Sequence, residues 1–101
     1  MTLERDSEDR FVRYVESLGF KAWKLRIDGQ DGFPDRTVVT SWGTVYFEFK
    51  RPGQQLRARQ WKVIADLRQI GASVFVSHSF QEAKEQLDEW TRVQSLSLIH
   101  I

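Results

Sequence analysis

The chain has 101 residues, 41% of them hydrophobic and 13% aromatic, with 15 Lys and Arg against 14 Asp and Glu for a formal net charge of +1. That length suits one small domain, the aromatic content excludes a disordered chain, and the absence of cysteine excludes a disulfide framework or a thiolate zinc site and suits a reducing cytoplasm. The opening MTLERDSEDR carries four acids and no apolar run, so neither a secretory signal nor a membrane anchor is expected.

In SEDRFVRYVESLGF, the residues Phe11, Val12, Val15 and Leu18 recur at helical spacing, and Gly19 follows as a stop. One turn back along the same stripe stands Glu8, an acid heading the buried side. KAWKLRI alternates, which predicts a first strand with Trp23, Leu25 and Ile27 on the buried face and Ala22, Lys24 and Arg26 on the polar one. DGQDG reads as a turn-rich loop, in which Asp28 and Asp31 serve the turn. RTVVTSW and TVYFEFK then read as a hairpin joined around Ser41 to Gly43. After Pro52 and Gly53, QQLRARQWKVIADLRQIG predicts a second helix with Leu56, Val63, Ile64 and Leu67 on its stripe. ASVFVS predicts a buried strand. Ser79 and Glu82 form a capping box for a third helix that lines up Phe80, Ala83, Leu87 and Trp90. The order is αβββαβα in a single domain over residues 1–93, with residues 94–101 as a tail that lacks helical caps.

Charge is unevenly placed. From Lys50 to Arg68 six bases stand against the single acid Asp66, whereas from Phe80 to Trp90 four acids outnumber Lys84. Such asymmetry lets one face meet a polyanion, although solvated helix faces carry similar runs. In the second hairpin strand, Val45, Phe47 and Phe49 point one way and Tyr46, Glu48 and Lys50 the other, and the turn brings Asp35 opposite the 48–50 end. Taken singly, these residues are also what an exposed edge strand, a turn and a surface ion pair contain. Taken together, two carboxylates and an ammonium suit metal-assisted phosphodiester cleavage. Mg²⁺ or Mn²⁺ takes oxygen ligands, for which Asp35, Glu48 and the Phe49 backbone carbonyl are candidates, with Lys50 beside the water or phosphate. Gln60 adds an amide on the apolar stripe of the second helix, where a hydrophobic residue packs better; a partly buried Gln bonded to backbone is the alternative.

Pro34-Asp35 followed by Glu48-Phe49-Lys50 resembles the PD-(D/E)xK nuclease signature, and the surrounding pattern from about Glu8 to Phe80 resembles its virus-type replication-repair nuclease (VRR-NUC) branch. The resemblance implies an α/β fold: a restriction-endonuclease-like αβββαβ core with a mixed central sheet flanked by helices, plus a C-terminal helix. It implies a Mg²⁺- or Mn²⁺-dependent DNA endonuclease in phage or bacterial replication and repair. In that family the glutamine of the second helix, here Gln60, and the helix-one acid, here Glu8, belong to the active site, the acid near the metal. A homodimer acting on branched DNA such as Holliday junctions is also implied, with no organic cofactor. Lys24, Arg51, Arg57 and Arg59 are then the candidate phosphate contacts, Trp42 is preferred over Trp61 for stacking on bases, and Tyr46 is expected as a wall. A non-catalytic DNA-binding module and a small restriction-type enzyme are the rival readings.

Overall fold

The run from Arg36 to Phe49 is rich in Val, Thr, Phe and Tyr and is broken only at Ser41-Trp42, and it folds as the expected hairpin. The computed structural model describes residues 3–99. Its elements are α1 (Leu3–Ser17), β1 (Lys21–Trp23), β2 (Arg36–Thr40), β3 (Gly43–Phe49), α2 (Ala58–Gln69), β4 (Ser73–Ser77) and α3 (Phe80–Ile99). The strands form one sheet in the order β1-β2-β3-β4, antiparallel at the first two junctions and parallel between β3 and β4. A parallel neighbour requires a crossover, which α2 provides. The expected mixed sheet flanked by helices is therefore present.

Register assigns every strand residue to a face. Thr37 lies opposite Tyr46, Trp23 opposite Thr37, Tyr46 opposite Val74 and Glu48 opposite Val76, so these side chains share one face. Ala22, Val38, Val45, Phe47 and Phe49 share the other, where they are buried with Phe11 and Val15 of α1 and Ala83 and Leu87 of α3. The Phe11 ring sits 4.5 Å from Phe47 and 5.5 Å from Phe49, centroid to centroid. Each such ring removed from water stabilises the fold by roughly 1.5–3 kcal/mol. The Tyr14 hydroxyl donates to Asp88 and so ties α1 to α3, while the Ser79 hydroxyl accepts the Glu82 N–H, the serine half of the predicted capping box, and the Glu82 carboxylate turns to His78 instead. On the opposite face α2 covers the β3–β4 side, burying Gln60, Val63 and Ile64.

Three expectations are corrected. The first strand ends at Trp23, and its buried residue is Ala22, whereas Trp23, Leu25 and Ile27 are exposed. Alternation fixes two faces without saying which is inner. Ala22 lies opposite Val38, under α1, where a small side chain fits, so the large residues turn outward. The second helix starts at Ala58, because the turn at Arg51–Gln54, closed by Gln54 N–H to Arg51 O and Arg51 N–H to Gln54 Oε1, holds the chain out of helix; Leu56 precedes it. Residues 94–99, expected as part of a tail, continue α3, whose i,i+3 pair Glu89–Arg92 and Ser95 hydroxyl to Arg92 O bond support its last turns. His100 and Ile101 lie outside the described residues.

Candidate active site

Three segments meet at the end of the β2–β3 hairpin. Carrying the register one step beyond Arg36 opposite Phe47 brings Asp35 beside Glu48, as the symmetric two-residue turn requires. Asp35 Oδ2 accepts the Phe49 N–H at 2.8 Å. Because the N–H and C=O of one strand residue point to the same side, the Phe49 carbonyl also points toward Asp35, while Lys50 N–H points the other way to Ser77 O at 2.9 Å. The Phe49 ring itself belongs to the core.

Glu48 is only 2% exposed and Lys50 only 6%. The Lys50 ammonium lies 3.5 Å from Glu48 Oε2, and the Gln60 amide donates to the same oxygen at 2.9 Å. Gln60 Oε1 in turn accepts the Arg57 N–H at 2.9 Å, so one amide caps α2 and orients Glu48. Its place on the apolar stripe is thereby explained. Glu48 Oε1 is buried with no hydrogen-bond partner. Such an orphaned carboxylate oxygen is costly and marks a site rather than a packed core. Burial and the neighbouring Asp35 carboxylate push Glu48 up to about 7, against the opposing pull of Lys50.

Glu8 is held elsewhere. Its Oε2 accepts from Arg36 Nε at 2.6 Å and lies 3.8 Å from Lys24 Nζ, on the α1 side of the sheet. Among the described residues no three of Asp, Glu and His gather into one cluster, so Glu8 is not drawn in with Asp35 and Glu48. Arg36 was not singled out in the sequence. The signal was its position: one residue after Asp35, it must face the opposite side, where the helix-one acid waits.

Gly32 is the second residue missed. At φ 87° its missing side chain leaves room for Arg59, whose carbonyl carbon and oxygen would both lie 2.8 Å from an added Cβ. The loop that delivers Asp35 therefore rests on the first turn of α2, which delivers Gln60. Asp31, Gly32, Arg57, Arg59 and Gln60 border a cleft of about 400 Å³ there. Arg59 pairs with Asp31 at 2.7 Å, both well exposed, while Arg51 is exposed in the turn before α2. Phe33 meets Tyr46 edge-on at 5.6 Å, which makes Tyr46 wall, as expected. Trp42, the expected stacking residue, is engaged edge-on by Phe20 at 6.0 Å, and Trp61 is the more exposed of the two.

A solved structure described as a VRR_NUC domain superposes on this chain with a TM-score of 0.81 and 27% sequence identity, over 87% of this chain and 97% of that one. This is the VRR-NUC fold. No family model and no curated protein matches the sequence. In this VRR-NUC fold the strand carrying Glu-Phe-Lys occupies the sheet interior, between β2 and β4, and the Pro-Asp loop closes over its end. The resemblance read from a few short motifs thus extends to the whole architecture.

Proposed function

We propose that this chain is a metal-dependent DNA endonuclease that hydrolyses phosphodiester bonds. The nuclease reading is supported by the similarity to a VRR_NUC domain. The observation that carries the metal reading is Glu48 Oε1, a buried carboxylate oxygen without a partner, next to Asp35. Two carboxylates and a carbonyl form an all-oxygen donor set, which fits Mg²⁺ or Mn²⁺. Asp35, Glu48 and the Phe49 carbonyl would hold the ion, with Glu8 brought near it if its pairing with Arg36 opens. When bound, the ion supplies charge to polarise the scissile phosphate and acidify a water. Gln60 keeps Glu48 Oε2 engaged, which leaves Oε1 as the oxygen that would serve the ion. Asp35 is oriented by the Phe49 N–H, and Lys50 offsets phosphate charge or orients the attacking water.

Arg51, Arg57 and Lys24 contact phosphates, joined by Arg59 once it releases Asp31. Branched DNA such as a four-way junction is the substrate, cut by a homodimer whose two sites address two strands. The edge strand β4 and α3 offer the dimer surface, where Phe75, Trp90 and Val93 border a groove of about 450 Å³. A cysteine-free chain suits the cytoplasm of a bacterium or a phage-infected host.

Cleavage of plasmid, linear and four-way-junction DNA, with Mg²⁺ or EDTA and in parallel with Asp35→Ala, tests this. Mg²⁺-dependent cutting that Asp35→Ala abolishes is expected, a loss of at least about 10²-fold. Cutting that survives the substitution refutes the site, and binding without cutting makes the chain a DNA-binding module. Sedimentation of the purified protein decides its oligomeric state.

A further inference from the structure

The face of the sheet that carries Glu48 is only partly covered. α2 covers its β3–β4 side, and at the β1 edge Trp23 is 54% exposed, on the same face as the exposed Val39. Trp23 lies opposite Thr37, which lies opposite Tyr46, two residues before Glu48. Two strand spacings across and two residues along place Trp23 about 12 Å from Glu48, a few nucleotides away along a strand running over the face. Between them Thr37 is buried, and its hydroxyl has no hydrogen-bond partner. Charge around the indole is cationic. Lys21, exposed, shares its face, opposite Val39, whereas Lys24 turns to Glu8 on the other side.

We propose that Trp23 is a stacking platform for an unpaired nucleobase a few nucleotides from the scissile phosphate, so that this site takes branched DNA with an unpaired segment at the branch. The geometry of this proposal rests on the nuclease reading above. A base in duplex already has both faces stacked, whereas an unpaired one offers its π-face to an exposed indole, and Lys21 on the same face meets its backbone. Trp42 and Trp61 do not compete for this role: Phe20 engages Trp42, and Trp61 lies at the far, β4 side with Arg68, Val76 and His78.

The test is binding in EDTA, so that it needs no cleavage. Fluorescence anisotropy with a dT12 single strand and with a 20-base-pair duplex compares wild type, Trp23→Ala and Trp23→Phe. Trp23→Ala is expected to weaken the single strand about tenfold and leave the duplex unchanged, with Trp23→Phe recovering most of the loss. A 2-aminopurine base in the single strand should lose fluorescence on wild type and not on Trp23→Ala. Equal loss on both DNAs, or none on either, overturns the proposal. So does sedimentation in which Trp23→Ala converts a dimer into monomer, because the face then belongs to a second copy of this chain. If wild type binds through Trp23 and never cuts, the platform stands and the nuclease reading falls.

Discussion

Glu48 shows how much one side chain can reveal. A surface glutamate has no reason to titrate near neutrality, but this one is buried beside Asp35 and is pushed up to about 7. In the unfolded chain the carboxyl ionises near its ordinary value of 4.5. The folded state therefore holds the proton more tightly, and the stability linked to it is fully present below about pH 4.5 and is lost as pH rises through 7. Glu48→Gln removes that loss. Denaturant melts in EDTA should show the variant gaining about 1–3 kcal/mol on wild type between pH 4.5 and pH 8. Parallel curves would mean that Glu48 titrates like an exposed acid. A bound divalent cation favours the ionised carboxylate, so millimolar Mg²⁺ should raise the wild-type melting temperature more at pH 8 than at pH 6, and should do little for Glu48→Gln.

Between elements, the contact that matters most to the site is a missing side chain. Gly32 and Gly29 both have positive φ, 87° and 75°, but nothing lies within 4 Å of a Cβ built at Gly29, whereas one at Gly32 strikes the Arg59 backbone. Backbone cannot swing aside as a lysine tip does. Gly32→Ala should cost about 2–4 kcal/mol and reduce cleavage, because the loop carrying Asp35 lifts from α2. Gly29→Ala should cost about 1 kcal/mol and leave cleavage intact, both read by thermal melts and a plasmid assay. The contrast also explains what was legible beforehand. The hairpin was, because a two-residue turn and strict alternation fix its register, and Gln60 was, because an amide on an apolar stripe asks for a partner. The inner face of β1 was not, since either half of an alternating pattern can be buried and only the position of α1 chooses. Nor was the Glu8–Arg36 pair, which joins residues 28 apart in sequence across two elements.

At the scale of the whole molecule, the uneven charge read along the chain becomes a division in space. The basic stretch 50–68 runs through α2, on the Glu48 face, and the acidic stretch 80–90 runs through α3, on the face of Phe47 and Leu87. A net charge of +1 thus conceals one side that attracts a polyanion and one that repels it. Not every cation on the attractive side is equally available, since Lys62 is paired with Asp66 and Arg59 with Asp31, both at exposed sites where such pairs are weak. Arg57, the N-cap of α2 at the cleft and bonded through its N–H to Gln60, is the cation placed to meet a phosphate there. Binding measured against salt separates this from a structural role. Arg57→Ala should make the plot of log affinity against log salt shallower by about one unit, with affinity for different sequences falling alike. Glu85→Gln, on α3, should leave the slope unchanged. An unchanged slope for Arg57→Ala, or an equal change for both variants, would mean that the backbone does not cross the α2 face and that the DNA path must be sought on the other side of the sheet.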